Sequence, residues 1–365
     1  MVNKENDEYN PDYAVPPGET LLEIIDSLGM SQTELAGRTH RPKKTISEII
    51  NGKAAITPET AIQLERVLDV PAKFWMNLEN NYRETLARLE EQERLVAQQE
   101  WLKTVPVKDM IAKGWIKKQA EVVGQFQEVL SFFGVASVEG WNDYWGNLLA
   151  SAAFRQSKAF KSDQSAVATW LRQGEREAKD IQCNEFSSTN FKKVLLDIKL
   201  LTGESPDVFV PGIIKLAASA GVAVVFVPEV PKCRVNGATR WLNPNKALIQ
   251  LSLRYKTDDH LWFTFFHEAG HILKHGKKGF FLEGESDNQQ AEAEADAFAS
   301  DFLIPPKEYV KFCLVRDFCQ GSVRVFSSRL GIAPGIVVGR LQHDKMIPFS
   351  HLNSLKIQFT WSNET

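Results

Sequence analysis

The chain has 365 residues, of which 43% are hydrophobic and 24% are charged. These proportions are typical of a globular protein with two or three domains and substantial cores. The 43 Lys and Arg residues are balanced by 46 Asp and Glu residues, a formal net charge of -3. This balance excludes nucleic-acid binding through overall positive charge, so any nucleic-acid surface must be local.

Cysteine usage and hydropathy indicate the compartment. The four cysteines form no CxxC pair, and a chain of this length does not need disulfides, so we expect reduced thiols. The N-terminus is polar and acidic rather than a secretory signal, and no stretch approaches the roughly 18 apolar residues of a membrane span. We therefore expect a cytoplasmic protein that has no membrane partner.

Composition and periodicity predict several segments in chain order. Polar residues before Pro16-Pro17 indicate a mobile arm, short helical patterns follow, and a β-rich run appears only after Ser205-Pro206. The fold class is multidomain, with an all-α N-terminal domain, a helical middle region and an α+β C-terminal domain. The predicted segments are a mobile arm (1–16), an all-helical domain (17–82), a linker helix (83–102), a helical middle region (103–204) and an α+β domain with a C-terminal extension (205–365).

The linker segment has no Pro or Gly and is rich in Glu, Arg and Gln. Tyr82, Leu86, Leu89 and Val96 lie near heptad spacing, and Glu93 interrupts the stripe. Two interpretations remain open, a solvated linker helix and a short dimerisation seam.

A helix-turn-helix pattern lies inside the first helical domain. Ser31 is a suitable N-cap with Glu34 as its capping-box partner, and Pro42 starts a second helix that places three isoleucines on one face. Between residues 38 and 53, five basic residues oppose one acidic residue, a net charge of +4. A helix with a dry face and a basic face suits the major groove of DNA, whereas the plainer interpretation is a helical hairpin with a solvated basic face.

The polar face supplies the candidate DNA-binding residues. Lys43, Lys44 and Ser47 are expected nearest the base edges. The side chains suited to phosphate contacts are Gln32, Thr45, Asn51 and Lys53. The expected partner is a double-stranded DNA operator, bound by a homodimer because two half-sites raise affinity and specificity.

Residues 17–82 resemble the phage-repressor-type (XRE) helix-turn-helix. The stretch SQTELAGRTHRPKKTISEIINGKAAITPETAIQLERVL, followed by FWMNLENNY, resembles the HigA-like antitoxin branch of that family. The resemblance implies a transcriptional regulator, with a toxin as a candidate partner. His40 stands where that branch usually has Gly in the turn, and His tolerates a left-handed backbone better than most residues.

A second motif is His267-Glu268-Ala-Gly-His271. Two imidazoles at i and i+4 share one helical face, which suits two ligands of a tetrahedral zinc ion, and Glu268 is a candidate base. Glu292 could supply the third ligand from a downstream helix, and Asp296, one turn later, could hold a ligand imidazole. Taken alone, the acidic stretch EAEAD is more simply an exposed helical face.

The segments FTFFHEAGHILKH and EAEADAFASDFLIPP together resemble the ImmA/IrrE metallopeptidase family over about residues 205–310. The resemblance implies zinc bound by His267, His271 and Glu292, with water at a fourth position and Glu268 as catalytic base. We expect His275 to be a supporting or substrate-side residue rather than a zinc ligand. For His260 and Arg240 two interpretations are open, a surface position, which we expect, and a role in binding substrate or an oxyanion.

Three functions are compatible with these motifs. The first is an antitoxin-like or repressor-like DNA-binding regulator whose zinc domain cleaves a protein partner, such as a toxin or a repressor. The second is a transcription factor whose zinc-site domain is a non-catalytic sensor or interaction module. The third is a protease that the helix-turn-helix holds near an operator. Fold alone does not separate them.

Overall fold

The computed structural model describes residues 13–149, 163–276, 281–282 and 289–361. The chain divides into two compact units, Met1–Gln99 and Glu100–Thr365. Residues 1–12 of the predicted mobile arm lie outside the described residues. In the part of the chain that the structure covers, no helix is long and apolar enough to cross a membrane.

The first unit is all helical. Its capping residues fix the helix starts, since Ser31 Oγ accepts from Glu34 N (3.1 Å) and Thr57 Oγ1 accepts from Thr60 N (3.3 Å). The core contains Leu21, Leu35 and Trp75, each fully buried. The helices are α1 (Pro17–Ser27), α2 (Gln32–Arg38), α3 (Lys43–Ile50), α4 (Pro58–Leu68) and α5 (Ala72–Ala97).

The second unit begins with mainly helical chain and continues into a small sheet. Its first described helices are α6 (Gln99–Leu102), α7 (Val107–Ala112), α8 (Val122–Phe133), α9 (Val138–Trp141) with a π-helical turn (Asn142–Gly146), α10 (Gln164–Asp180), α11 (Ser188–Leu200) with a 3-10 turn (Leu201–Gly203), and α12 (Pro206–Ser219). The later helices are α13 (Asp258–Lys274), α14 (Gln289–Leu303), α15 (Pro306–Val315), α16 (Gln320–Leu330), α17 (Pro334–His343) and a 3-10 turn (Asn353–Leu355).

The described strands form one sheet in the order β1-β3-β2-β4. Strands β1 and β3 are parallel, and β2 is antiparallel to both β3 and β4. The strands are β1 (Val222–Phe226), β2 (Gly237–Asn243), β3 (Lys246–Leu251) and β4 (Phe281–Leu282).

Both faces of the sheet are buried. Val222 and Val224 pack in one core cluster with α13, whereas Ala223 and Val225 pack in a second cluster with α8 and α10. Trp170 Nε1 on α10 also donates to Val227 O (2.9 Å). A strand covered on both sides has no polar face, which explains the continuous apolar run in β1. The expected fold class is confirmed, and residues of the middle region share the second unit with the sheet.

Candidate metal centre and DNA-binding surface

Helix α13 places the two histidines of HEAGH in the interior. His267 and His271 are one turn apart and 2% and 1% exposed, and their Nε2 atoms are 3.0 Å apart. Burial, followed by the neighbouring His267 and His275, lowers the pKa of His271 to about 3. His271 is therefore a neutral imidazole at pH 7, the form that binds metal ions.

Helix α14 brings a carboxylate to the same point. The oxygens of Glu292 lie 3.3 Å from His267 Nε2 and 3.4 Å from His271 Nε2. One potential ligand atom from each of the three residues lies within 4.8 Å of the others. Two imidazole nitrogens and one carboxylate oxygen are a donor set that suits zinc.

Each histidine is held on its other ring nitrogen. His267 Nδ1 lies 2.9 Å from Asp296 Oδ1, and His271 Nδ1 lies 3.0 Å from His275 Nδ1. His275 Nε2 in turn lies 3.3 Å from Glu294 Oε2. If both ligands bind metal through Nε2, His267 donates to a carboxylate and His271 donates to a second imidazole, which donates to Glu294. Glu294 therefore supports His271 indirectly, through His275.

Small residues allow α13 and α14 to approach closely. Ala291, Ala295 and Ala299 are all buried on one face of α14. A Cβ atom added to Gly270 on α13 would lie 3.2 Å from Ala295 Cα. This close packing brings Glu292 within reach of the histidines.

Glu268 points to the sheet. It is fully buried, and its Oε2 accepts a 2.6 Å hydrogen bond from Thr239 Oγ1 on β2. A Cβ atom at Gly237 would lie 2.6 Å from Glu268 Oε1, so β2 contacts this carboxyl group closely. Thr239 could not be identified from the sequence, because its partner is 29 residues away and no local pattern indicates the contact.

Arg240 and His260 lie away from the ligand atoms. Arg240 follows Thr239 on β2, so its side chain takes the opposite face, where it pairs with Glu175 of α10. Its side chain is only 12% exposed, so the expected surface position is wrong. His260 is exposed and stacks on Tyr255, with ring centroids 4.4 Å apart.

The helix-turn-helix residues divide between two faces in the first unit. Ile46, Ile49 and Ile50 on α3 are buried. Asn51 Nδ2 donates to Ser47 O (2.7 Å), which holds the Asn51 side chain against the end of α3. Of the seven candidate DNA-binding residues, the exposed ones are Lys43, Lys44, Asn51 and Lys53, and the half-buried ones are Gln32, Thr45 and Ser47.

Two local details concern the turn and the cap. His40 has φ 53°, so it takes the left-handed conformation expected at a turn position where Gly is usual. Ser31 caps α2 as expected. Half of the expected capping box is present, since Ser31 Oγ accepts from Glu34 N, whereas Glu34 Oε1 accepts from Arg38 one turn later (2.6 Å).

Comparison with known proteins agrees with both motifs. A family model described as helix-turn-helix matches residues 21–75, and one described as the IrrE N-terminal-like domain matches residues 235–312. The HTH-type transcriptional regulator YddM of Escherichia coli K12 is 39% identical over 64 residues, 18% of this chain and 68% of YddM. The HTH-type transcriptional regulator YbaQ of the same strain is 34% identical over 96 residues, 23% of this chain and 85% of YbaQ.

Solved structures similar to this chain include an addiction module antidote protein of the HigA family from Coxiella burnetii. It has 29% sequence identity and a TM-score of 0.22, over 23% of this chain and 92% of that protein. The antitoxin HigA of Pseudomonas aeruginosa with the higBA promoter has 29% identity and a TM-score of 0.22, over 22% of this chain and 90% of that protein.

The fold and the two motifs define a class of protein, a helix-turn-helix DNA-binding regulator with an IrrE-like domain in the same chain. The chain belongs to the XRE-type helix-turn-helix transcriptional regulators, because its N-terminal residues match that family model and are similar to the regulators YddM and YbaQ.

Proposed function

We propose that this regulator binds an operator as an antitoxin-like homodimer and that its second unit is a zinc-dependent endopeptidase acting on a protein partner. The observation that carries the peptidase proposal is the meeting of His267, His271 and Glu292 within 4.8 Å. Three protein ligands leave a tetrahedral zinc ion one position for water or substrate, the arrangement of catalytic rather than structural zinc sites.

The residues around the proposed site have separate tasks. When bound, zinc supplies Lewis-acid polarisation of a peptide carbonyl and of the attacking water. Glu268 takes the proton from that water and passes it to the leaving amine. Thr239 holds Glu268 Oε2, and Asp296 and His275 keep the two ligand imidazoles in the tautomer that presents Nε2.

The DNA-binding proposal rests on the first unit. Lys43 and Lys44 are exposed at the start of α3, Ser47 lies one turn on, and the buried isoleucines occupy the opposite face. This is the arrangement of a recognition helix, and the sequence relatives are described as transcriptional regulators. We assign base contacts to Lys43, Lys44 and Ser47 and phosphate contacts to Gln32, Thr45, Asn51 and Lys53.

A partner protein is the third part of the proposal. The antitoxin likeness favours a toxin as the partner, whereas a peptidase tethered to DNA would meet a repressor bound at the same operator. The proposed substrate is therefore a toxin or repressor. Helix α5 is the proposed dimer seam, because Leu86 and Leu89 lie near heptad spacing on it and remain partly exposed.

A second candidate function is a transcription factor whose zinc domain senses a ligand or partner without cleaving it. The observation that favours it is the position of Glu268, which is fully buried and hydrogen-bonded to Thr239. A base so enclosed is also suited to holding α13 against β2.

Zinc content tests the metal site first. Elemental analysis of the purified full-length protein should give one zinc per chain, and His267→Ala should lose it because only two ligands remain. His351→Ala is the matched control, since His351 is exposed and outside the ligand set. Absence of zinc from the wild type, or zinc retained in His267→Ala, would contradict the site.

Glu268→Gln then separates the two candidates. The variant should keep zinc and operator binding but cleave operator-bound partner proteins about 10²–10⁴-fold more slowly, the usual loss of a general base. If wild type and Glu268→Gln both leave every tested toxin and repressor intact while both regulate the operator, the sensor function is correct.

A further inference from the structure

A cavity of about 380 Å³ lies beside the metal-site helices in the second unit. It begins one helical turn from the ligands, because Phe263 precedes His267 on α13 and Asp296 follows Glu292 on α14. Its floor is apolar and buried, formed by Leu303, Ile304 and Ile336. This volume suits a small organic molecule rather than a macromolecule.

The lysine and the arginine in the cavity wall are already paired with carboxylates. Lys356 Nζ donates to Asp259 Oδ2 (2.6 Å) and Gln342 Oε1 (2.8 Å). Arg340 pairs with Asp344 (2.7 Å). An anionic ligand would have to break one of these pairs, and a cationic ligand would have to compete with His267 for the Asp296 carboxylate, so the cavity favours a neutral molecule.

Two acceptors in the wall remain to be satisfied. Asp259 is 7% exposed, and within the described part of the chain no donor lies at hydrogen-bond distance from its buried Oδ1. The same holds for the buried Oδ1 of Asn236, which also lines the cavity. Unpaired buried acceptors cost free energy, which a ligand with an N–H or O–H group would recover. Tyr255 and His260 stack at the rim, where a ring can lie against them.

We propose that this cavity binds a small, neutral, ring-containing molecule that donates a hydrogen bond to the Asp259 and Asn236 oxygens, and that the molecule acts as an effector of the metal site. The second part rests on the proposed metal site, whereas the first does not. Asp296 connects the two, because it lines the cavity and its Oδ1 lies 2.9 Å from His267 Nδ1. A ligand that excludes water from the Asp296 carboxylate strengthens this hydrogen bond and so tightens zinc binding.

Indole and indene test the binding site on the full-length wild type. The two probes share a bicyclic shape, but only indole has an N–H donor. Indole should bind, measured by ligand-observed NMR titration, and indene should bind about ten-fold more weakly or worse, the usual loss of a hydrogen bond to a charged acceptor. If neither probe binds, the site is overturned, and equal affinities overturn the role of the two acceptors.

Substitution of Ser300 tests where the ligand binds, because this residue lines the cavity from α14. Ser300→Phe should fill the cavity and reduce indole binding at least about ten-fold, whereas Ser328→Phe on an exposed position of α16 should not. Nuclear Overhauser effects from indole to the Ile304 and Ile336 methyl groups of the wild type give the same information without a variant. Undiminished binding by folded Ser300→Phe, or effects to other methyl groups only, would overturn the location.

Zinc affinity measured with and without saturating indole tests the coupling. We expect indole to tighten zinc binding about five-fold or more, and zinc to tighten indole binding by the same factor. An unchanged zinc affinity would overturn the effector role alone. A protein that binds no zinc would instead overturn the metal site of the proposed function. The indole titration of that protein would still show whether the cavity binds the proposed ligand.

Discussion

At the scale of single residues, the two histidine ligands depend on different partners. His267 meets the carboxylate of Asp296 directly, whereas His271 reaches Glu294 only through His275. Hydrogen bonds from Gln290 and then His275 lower the pKa of Glu294, so this end of the chain of contacts carries a negative charge. Both carboxylates therefore orient a ligand imidazole, Asp296 directly and Glu294 through His275.

Substitution of Asp296 by Ala should weaken zinc binding about 10–100-fold without abolishing it, because the ligand remains but its orientation is lost. Competition with a chromophoric chelator measures the affinity. Asp301→Ala, at an exposed position of the same helix, is the control and should match the wild type. Equal affinities for Asp296→Ala and Asp301→Ala would show that Asp296 does not support the site.

Asp258 predicts a pH dependence of stability. It is fully buried at the start of α13 and accepts from Ile357 N (3.0 Å), and burial raises its pKa from 3.8 to about 6. The folded state therefore holds this proton more tightly than the unfolded state. The free energy of unfolding should fall as pH rises from about 4 to about 6, by up to about 3 kcal/mol.

Asp258→Asn tests this prediction, since Asn keeps an acceptor for Ile357 N–H and has no charge to bury. In denaturant unfolding, the variant should lack this pH-dependent part of the free energy of unfolding. It should therefore be more stable than the wild type at pH 7.5, but not at pH 4. Asp207→Asn, at an exposed position, is the control. Parallel pH profiles for wild type and Asp258→Asn would contradict the assignment.

At the scale of elements, the buried alanines of α14 decide how near Glu292 comes to α13. Ala295→Leu should force the helices apart, cost about 1–3 kcal/mol of stability and weaken zinc binding, because Glu292 moves with its helix. Ala293→Leu is a matched control on the exposed side of the same helix. Zinc titration and thermal unfolding of both variants measure the effect, and unchanged zinc affinity in Ala295→Leu would contradict it.

Helix α3 and the turn that follows it allow two kinds of DNA contact to be separated. Lys53→Ala should weaken binding to all sequences and reduce the salt dependence of the affinity by about one counterion, whereas Ser47→Ala should change the preferred bases. Electrophoretic mobility shifts at several salt concentrations, with a specific and a scrambled operator, measure both. A sequence-selective loss in Lys53→Ala would reverse our assignment of these residues.

Local patterns predicted these elements well where the signal was local. The Ser31 cap, the dry face of α3 and the i, i+4 histidines all follow from short-range spacing, and the structure contains each of them. Contacts between distant segments were not predictable in this way. Thr239 on Glu268 and Arg240 on Glu175 depend on which face of β2 meets which helix, and the sequence of β2 alone does not give that.

At the scale of the whole molecule, α5 is the element proposed to join two copies. Leu86→Glu with Leu89→Glu should give monomers in light scattering after size-exclusion chromatography and weaken operator binding, because one half-site is lost. Ala87→Glu, at an exposed position between them, is the control. A dimer that survives the double substitution would place the interface elsewhere or show that α5 is only a linker.

The second unit shows why the sequence left the middle region unassigned. Helices α8 and α10 carry no chemical motif, yet they bury one face of the sheet, and α13 buries the other. Their Trp and Phe residues indicated a core, but apolar periodicity does not say which partner a helix covers. Contacts in three dimensions make that assignment, among them the hydrogen bonds from Trp170 Nε1 to Val227 O and from Gln250 Nε2 to Trp170 O.

This arrangement also has a consequence for synthesis. A ribosome synthesises Trp145 and Trp170 before the strands between Val222 and Leu251. The aromatic surface of the middle helices therefore stays exposed until the sheet that buries it has been made. At ordinary rates of translation the wait is on the order of ten seconds. The nascent second unit therefore exposes an aromatic, aggregation-prone surface early. Chaperone binding to ribosome-bound chains should peak before the sheet has emerged.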